Sequence, residues 1–172
     1  MKTVAPTPAW TATITKTHGL LSMSCKVEIR IRASAERVWA LLTHAAGYPD
    51  WNSTFTRVDG QIREGERLRL YLLGTHRTFT PLVSHVAPQR GMTWSDGVPG
   101  VFRGVRNFRL IARPDGSTGF EMEEHFSGLV FALVKRALPD FGPIFERFAT
   151  DLRREAERTW AEKRLVAHID RA

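Results

Sequence analysis

Residues 101–128, with the sequence VFRGVRNFRLIARPDGSTGFEMEEHFSG, contain two long strand patterns separated by a turn. The turn is Pro114-Asp115-Gly116, because proline and glycine supply the backbone angles that a chain reversal needs. Apolar and polar residues alternate on both sides of it, which is typical of strands that are buried on one face. The segment therefore predicts a hairpin of strands 101–113 and 118–127.

Each strand of this hairpin has one charged residue on its apolar face. The charges are Arg106 on the first strand and Glu124 on the second. An antiparallel register that places Phe108 opposite Met122 also places these two charges opposite each other. Because an unpaired buried charge is costly, we expect an ion pair. The remaining residues of the two faces are Phe102, Gly104, Leu110, Phe120 and Phe126.

A helical pattern follows the hairpin. Apolar residues recur at helical spacing after Gly128, are interrupted by Pro-Asp-Phe-Gly-Pro at 139–143, and then resume on one face. We expect a long helix from about Pro143 to Lys163 that rests its apolar face on the sheet. The interruption is a candidate entrance, because irregular backbone beside a cavity moves more readily than a helix. The apolar face consists of Phe145, Phe148, Leu152 and Ala156.

The segment before the hairpin begins with a half-buried strand over residues 24–31. Two short helices follow it, the first capped by Ser34 and ended by the Gly47 and Pro49 breakers. The strand patterns that come next are separated by turns, without a helix long enough for a parallel crossover, and they predict an antiparallel meander. Pro81 has no N–H to donate, so its strand is expected at an edge or with a bulge.

The composition fits one globular domain. Of 172 residues, 42% are hydrophobic and 25% are charged. We expect the domain to cover residues 21–172, after a loosely ordered extension over residues 1–20 that is rich in threonine and proline. No stretch approaches the ~20 apolar residues of a transmembrane helix, and the N-terminus lacks the apolar segment of a signal peptide. With one cysteine, no intrachain disulfide is possible, and a cytoplasmic location is expected.

Several classes of function lack their sequence signals. The net charge of +7 is spread along the chain, which favours a solvated basic surface and no nucleic acid partner. The histidines form no HxH or HExxH pattern and the single cysteine no CxxC pair, so we expect no metal site. No GxSxG, GxGxxG or GxxxxGKS/T run occurs, which removes the usual hydrolase, dinucleotide and phosphate-loop signals, and no cofactor is expected.

Short motifs in a fixed order suggest a family. They are AERVW at 35–39, YPDWN at 48–52, GERL at 65–68, PQRGMTW at 88–94, FRG at 102–104, FRL at 108–110 and EHFSG at 124–128. Over about residues 24–163 the chain resembles the polyketide cyclase/dehydrase-like branch of the START and birch-pollen-allergen lipid-binding superfamily. The resemblance implies an α+β helix-grip fold, in which a curved antiparallel β-sheet wraps around a long C-terminal α-helix, with two short helices after the first strand. Such folds host transfer proteins, cyclases and partner-binding domains, so the fold does not supply a reaction.

In the helix-grip fold a cavity lies between the sheet and the long helix. Arg106 and Glu124 would point into it, where they either form a structural ion pair or orient the polar end of a ligand. Arginine is a good bidentate donor to a carboxylate or enolate oxygen, and the resemblance to polyketide cyclases also implicates an arginine in the pocket. Further candidates for the ligand-binding wall are Trp51, Phe55, Phe79, Trp94, Phe102, Phe108, Met122, Phe126, Phe141, Phe145 and Phe148.

Three functions are compatible with these residues. The preferred hypothesis is the binding or carrying of an apolar small molecule, such as a lipid, an acyl chain or an aromatic polyketide. The second is a cyclase, aromatase or dehydrase that uses the same cavity, with Arg106 and Glu124 as candidate catalytic residues. The third is an interaction domain that docks a basic surface on a protein or a membrane. Whether the chain forms a homodimer is left open.

Overall fold

The structure is a computed structural model that describes residues 11–134 and 140–169. The strands are β1 (Thr13–His18), β2 (Ser22–Ile31), β3 (Phe55–Asp59), β4 (Arg69–Leu72), β5 (Thr78–Phe79), β6 (Leu82–Ala87), β7 (Gly91–Val98), β8 (Phe102–Ala112) and β9 (Thr118–Ser127). The helices are α1 (Ala35–Thr43), α2 (Tyr48–Trp51), α3 (Leu129–Val134) and α4 (Phe141–Ile169), with a 3-10 turn at Ala45–Gly47.

The strands of the described residues form two antiparallel sheets. The larger has the order β1-β2-β9-β8-β7-β6, and the smaller has the order β3-β4-β5. The meander predicted from the sequence therefore divides, and the division falls at Pro81, between β5 and β6. Pro81 cannot donate to a ladder, but its carbonyl accepts a hydrogen bond from the Leu68 backbone N–H at 3.0 Å, which links the two sheets. The strand predicted to contain Pro81 is broken there, and the two strands on either side, β5 and β6, each lie at a sheet edge.

Strand β1 corrects the expectation that residues 1–20 are a loosely ordered extension. Residues 13–18 pair antiparallel with β2, from Thr13 opposite Glu28 to His18 opposite Met23. The segment has little apolar alternation, but its threonines are β-branched and favour extended backbone. Pairing with β2 then fixes it as the edge of the larger sheet. Residues 1–10 lie outside the described residues.

The hairpin that the sequence predicted is formed by β8 and β9. Arg106 lies opposite Glu124 and Phe108 opposite Met122, so the predicted register is confirmed. Strand β2 pairs with the other edge of β9, which places Cys25 opposite Glu124. The concave face of the larger sheet is thus built from segments that are distant in the sequence.

Helix α4 packs its apolar side against the larger sheet, as predicted. Phe145, Phe148 and Leu152 are buried on that side. The helix begins at Phe141, two residues before the predicted start, because the Asp140 carboxylate caps it by accepting a hydrogen bond from the Gly142 N–H at 2.9 Å. Proline is compatible with the first turn of a helix, where N–H groups have no intrahelical partner. Of the predicted entrance at 139–143, residue 139 lies outside the described residues and residues 141–143 belong to the helix.

The short helices occupy the predicted places after β2. The side-chain oxygen of Ser34 accepts a hydrogen bond from the Arg37 N–H at 3.3 Å, so the predicted N-cap of α1 is confirmed. Tyr48 in α2 is fully buried and donates its hydroxyl proton to the Leu42 carbonyl at 2.9 Å. This bond fixes α2 against α1. No helix of the described residues is long and apolar enough to cross a membrane.

Candidate functional site

A row of polar side chains crosses the concave face of the larger sheet. Strand pairing places Trp94 next to Arg106 and Arg106 next to Glu124. The row continues to Cys25 on β2 and to Lys16 on β1. The positions on either side of it on β8, β9 and β2 carry glycine or apolar residues: Gly104, Phe126 and Met23 on one side, and Phe108, Met122 and Val27 on the other. On these three strands the row therefore lies between glycine and apolar positions, and we call this line of side chains the polar row.

At the centre of the polar row, Arg106 and Glu124 form the predicted ion pair. Arg106 donates from Nε at 3.1 Å and from Nη2 at 2.5 Å, and both bonds go to Oε2 of Glu124. The two side chains are only 15% and 14% exposed. The guanidinium carbon lies 5.3 Å from the ring centroid of Phe145 on α4, within the range of a cation–π contact. The ion pair is therefore mostly buried but still partly in contact with solvent.

Trp94 adds a second donor to the polar row. The side chain is 2% exposed, and its indole N–H has no hydrogen-bond partner among the described residues. Its ring packs at 4.9 Å, edge to face, on Phe108. A buried donor without a partner costs free energy, so such a group favours an acceptor oxygen brought in by water or by a ligand.

The other end of the polar row reaches the surface at the start of α4. Burial raises the pKa of the Cys25 thiol, which keeps it protonated. Lys16 donates a hydrogen bond to Asp140, and this bond, together with the Gly142 N–H, holds the pKa of the Asp140 carboxyl below its usual range. The first strand and the N-cap of α4 are thereby joined by a pair of opposite charges.

Beyond the polar row, toward α2, the interior is filled by aromatic rings. The centre of this packing is Phe148, which is fully buried. Its ring centroid lies 5.7 to 6.3 Å from five other rings, those of Tyr48, Trp51, Phe55, Phe108 and Phe120. We call these six rings the inner cluster. Seven residues predicted to bind a ligand are buried and form part of the core: Trp51, Phe55, Trp94, Phe108, Met122, Phe145 and Phe148.

On the other side of the polar row, toward α3, a second group of rings is less enclosed. Phe126 stacks on Phe141 at 4.8 Å and lies 6.2 Å from Phe102, and Phe141 lies 6.2 Å from Phe145. Phe102 and Phe141 are partly exposed. Phe131 on α3 is fully buried and stacks on Phe126 at 6.5 Å, although the sequence analysis did not select it. We call these five residues the outer cluster.

Phe131 lies in a segment of six apolar residues, 129–134. A segment that is apolar throughout predicts a helix but does not indicate which side of that helix is covered. The last predicted wall residue, Phe79, belongs to β5 in the smaller sheet. It is partly exposed, and the Arg77 guanidinium carbon lies 5.9 Å from its ring centroid. The structure thus gathers four of the predicted residues in the outer cluster and places Phe79 at the margin of the core.

Two open grooves are present on the described surface. One, of about 240 Å³, is lined by residues of β2, β8 and β9 that include Arg30, Arg113 and Glu121. The other, of about 290 Å³, lies between α1 and α4 and includes Arg37 and Trp51. Among the predicted ligand-binding residues, Trp51 alone lines either groove. Neither groove is lined by Arg106, Glu124 or Phe148.

The sequence of the chain matches a known family over most of its length. A family model described as polyketide cyclase / dehydrase and lipid transport matches residues 22–157. The chain belongs to this family. A search of curated proteins gave no match. Membership in the polyketide cyclase / dehydrase and lipid transport family supports ligand binding or a cyclase-type role in general.

Solved structures show the same fold. CalU16 from Micromonospora echinospora has a TM-score of 0.57 at 21% identity, over 83% of this chain and 81% of that chain. Norcoclaurine synthase from Thalictrum flavum, in complex with a transition state analogue, has a TM-score of 0.62 at 12% identity, over 84% and 97%. A START superfamily protein from Mycobacterium smegmatis has a TM-score of 0.57 at 17% identity, over 79% and 98%. At these identities the likeness concerns the fold alone, and it confirms the predicted α+β helix-grip fold.

Proposed function

We propose that this protein binds an apolar small molecule that carries one polar acceptor group. The observation that supports the proposal is the polar row, a line of polar side chains that lies between glycine and apolar positions on β8, β9 and β2. Ligand sites of this kind combine an apolar lining with a few placed polar groups that fix the orientation of the ligand. Arg106 and the unpartnered indole N–H of Trp94 are the donors that would hold the acceptor.

The apolar part of the ligand would lie against the outer cluster. These rings adjoin the polar row through Phe145, and two of them, Phe102 and Phe141, remain partly exposed. Gly104 occupies the position opposite Phe126 on the concave face and adds no side chain there. The inner cluster, by contrast, is closely packed. A ligand therefore needs the smallest rearrangement if it enters on the side of α3.

The hydrogen bonding of Glu124 and the raised pKa of Cys25 favour ligand binding over the cyclase, aromatase or dehydrase alternative. Both hydrogen bonds from the Arg106 guanidinium go to Oε2 of Glu124, so the two charges balance each other as a structural ion pair does. The nearby Cys25 is a weak nucleophile because burial raises its pKa and thiolate is the reactive form. The geometry supports a site that orients a ligand.

The test replaces the ion pair and measures the selectivity of binding. In the double variant Arg106→Met, Glu124→Leu, both charges are exchanged for apolar side chains of similar size. We expect it to lose affinity about tenfold or more for a fatty acid or a phenolic dye, since an arginine hydrogen bond to such a group is worth roughly 1.5 to 3 kcal/mol. Affinity for an uncharged aliphatic probe should be retained. Fluorescence titration or calorimetry gives both constants.

The chain supplies a matched control on the same two strands. Arg109 and Glu121 lie opposite each other on β8 and β9, with Nη1 of Arg109 3.6 Å from Oε2 of Glu121. Arg109 is well exposed on the outer face. The double variant Arg109→Met, Glu121→Leu should bind both kinds of probe as the parent does. Equal selectivity of the parent and the Arg106/Glu124 double variant would refute the orienting role, and failure of every probe to saturate the parent would refute ligand binding itself.

A further inference from the structure

Large apolar side chains are exposed together at one end of the larger sheet. This end contains the β1–β2 turn, the β7–β8 turn and helix α3. Leu20 is 81% exposed, Leu129 68% and Leu133 83%. The full set, which we call the apolar face, is Leu20, Leu21, Val98, Val101, Leu129, Val130 and Leu133.

Backbone hydrogen bonds bring the three segments into contact. The N–H of Gly128 donates to the carbonyl of Leu21 at 3.1 Å. The N–H groups of Leu129 and Val130 donate to the carbonyls of Gly100 and Val101 at 3.0 and 2.9 Å. The exposed side chains therefore belong to one continuous structural unit. Scattered single apolar residues are normal on a protein surface, but a contiguous group marks a binding surface.

Helix α3 is the most unusual part of the apolar face. Its six residues, LVFALV, are all apolar. Phe131 is buried against the outer cluster, whereas Leu129 and Leu133 point to solvent. A helix that is apolar all round normally has every side covered, by protein or by lipid. Here the described residues leave Leu129 and Leu133 uncovered.

The charges around the apolar face indicate which partner covers it. Residues 19–22, 97–103 and 127–134 contain no aspartate or glutamate, and their one charged residue is Arg103. The whole chain has a net charge of +7. A face of leucine and valine without acidic residues, on a cationic protein, is complementary to a bilayer with anionic headgroups, which attracts basic proteins and accepts apolar side chains at the interface.

We propose that the apolar face docks this protein on the surface of a membrane that contains anionic lipid. In this orientation Leu129 and Leu133 enter the boundary between headgroups and acyl chains, and Phe131 remains on the protein side of α3. The inference rests on exposed side chains and charge, and it does not require a ligand in the interior. It differs from docking by a basic surface, because here the apolar side chains supply most of the attachment.

The test is vesicle flotation with a variant of α3. The parent should bind vesicles of about three parts phosphatidylcholine to one part phosphatidylserine, and bind more weakly to pure phosphatidylcholine. In the variant Leu129→Ser, Leu133→Ser, the partition coefficient should fall about tenfold or more, because two side chains that enter the bilayer are lost. Both residues are exposed, so the thermal midpoint should stay near that of the parent.

The matched control is Ile111→Ser, a partly exposed apolar residue at the other end of β8, which should leave vesicle binding unchanged. Three results would overturn the proposal: no binding of the parent to either vesicle, equal binding of the parent and the α3 variant, or a dimer in sedimentation velocity that the α3 variant dissociates while vesicle binding is absent. The last result would assign the apolar face to a second copy of the chain. Loss of vesicle binding with unchanged affinity for soluble probes would separate this surface from the interior site.

Discussion

Arg106 and Glu124 are a buried pair, and the cost of desolvating them opposes the gain from their attraction. Removal of one partner leaves the other charge unpaired in an apolar site, which costs about 3 kcal/mol, whereas replacement of both by apolar side chains costs much less. We therefore expect Arg106→Met and Glu124→Leu each to lower the free energy of unfolding by about 3 kcal/mol, and the double variant to recover most of it. Denaturant melts of the four proteins give the coupling energy. Single variants as stable as the parent would show that the pair is not buried in solution.

Cys25 lies one strand away from this pair. Its contribution to stability changes with pH in the opposite direction from that of an ion-paired carboxylate. Burial raises the pKa of its thiol above the ordinary value of 9.0, so the folded state holds its proton more tightly than the unfolded state. Stability should therefore fall as the pH rises past about 9, since the unfolded chain then ionises first. Between about pH 8 and pH 10, the parent should lose stability more steeply than Cys25→Ala, because lysine and tyrosine titrate alike in both proteins. Parallel pH profiles would contradict the assignment.

Helix α3 depends on a close approach that only glycine allows. Gly128 has φ of +127°, and a Cβ built on it would lie 2.3 Å from the carbonyl oxygen of Val101. Gly116, in the β8–β9 turn, also has a positive φ, of +77°, but open space around it. Gly116→Ala should cost about 1 kcal/mol from backbone strain alone, and Gly128→Ala about 2 kcal/mol more because the backbone must move.

The readouts for these two variants are denaturant melts and hydrogen exchange at the start of α3. Gly128→Ala should speed the exchange of the Leu129 and Val130 N–H groups, which bond to that turn. Gly116→Ala should leave them protected. Equal effects of both variants would show that α3 does not need close contact with the β7–β8 turn.

At the scale of the whole molecule, Phe148 on α4 joins both sheets and helix α2. Its ring meets Phe55 in the smaller sheet, Phe108 and Phe120 in the larger sheet, and Trp51 in α2. Phe148→Ala should lower the free energy of unfolding by about 3 to 5 kcal/mol, as expected for a fully buried ring. Phe79→Ala is the control, since that ring is partly exposed and should cost less than half as much. A loss below about 1 kcal/mol for Phe148→Ala would contradict the packing of α4 on the sheet.

The outer cluster and the apolar face meet in α3, so the proposed ligand site and the proposed membrane surface share one helix. Phe131 stacks on Phe126 inside, while Leu129 and Leu133 are exposed outside. An apolar ligand that leaves the outer cluster at this end would pass directly to a lipid surface. The proposed ligand site and the proposed membrane surface are thus adjacent in the fold, and each is tested separately.

Elements with local patterns could be predicted from the amino-acid sequence alone. The alternation in residues 101–128 was sufficient for the hairpin and for the Arg106–Glu124 pair, because the turn fixes the register of two adjacent strands. The one-faced pattern around Phe148 was sufficient for α4 as a packed helix. Ser34 marked a helix start through its side-chain cap, and Pro81 marked a break beside a sheet edge through its missing N–H.

Features that depend on segments distant in the sequence could not be predicted from local patterns and come from the three-dimensional fold. Strand β1 has a weak pattern of its own and is fixed by pairing with β2. The pattern in residues 129–134 predicts a helix, but which of its apolar residues are buried depends on the position of the β7–β8 turn. The same holds for the interior. Aromatic content alone does not distinguish a cavity wall from a packed core, because that depends on whether rings such as Phe148 and Phe108 reach one another across the fold.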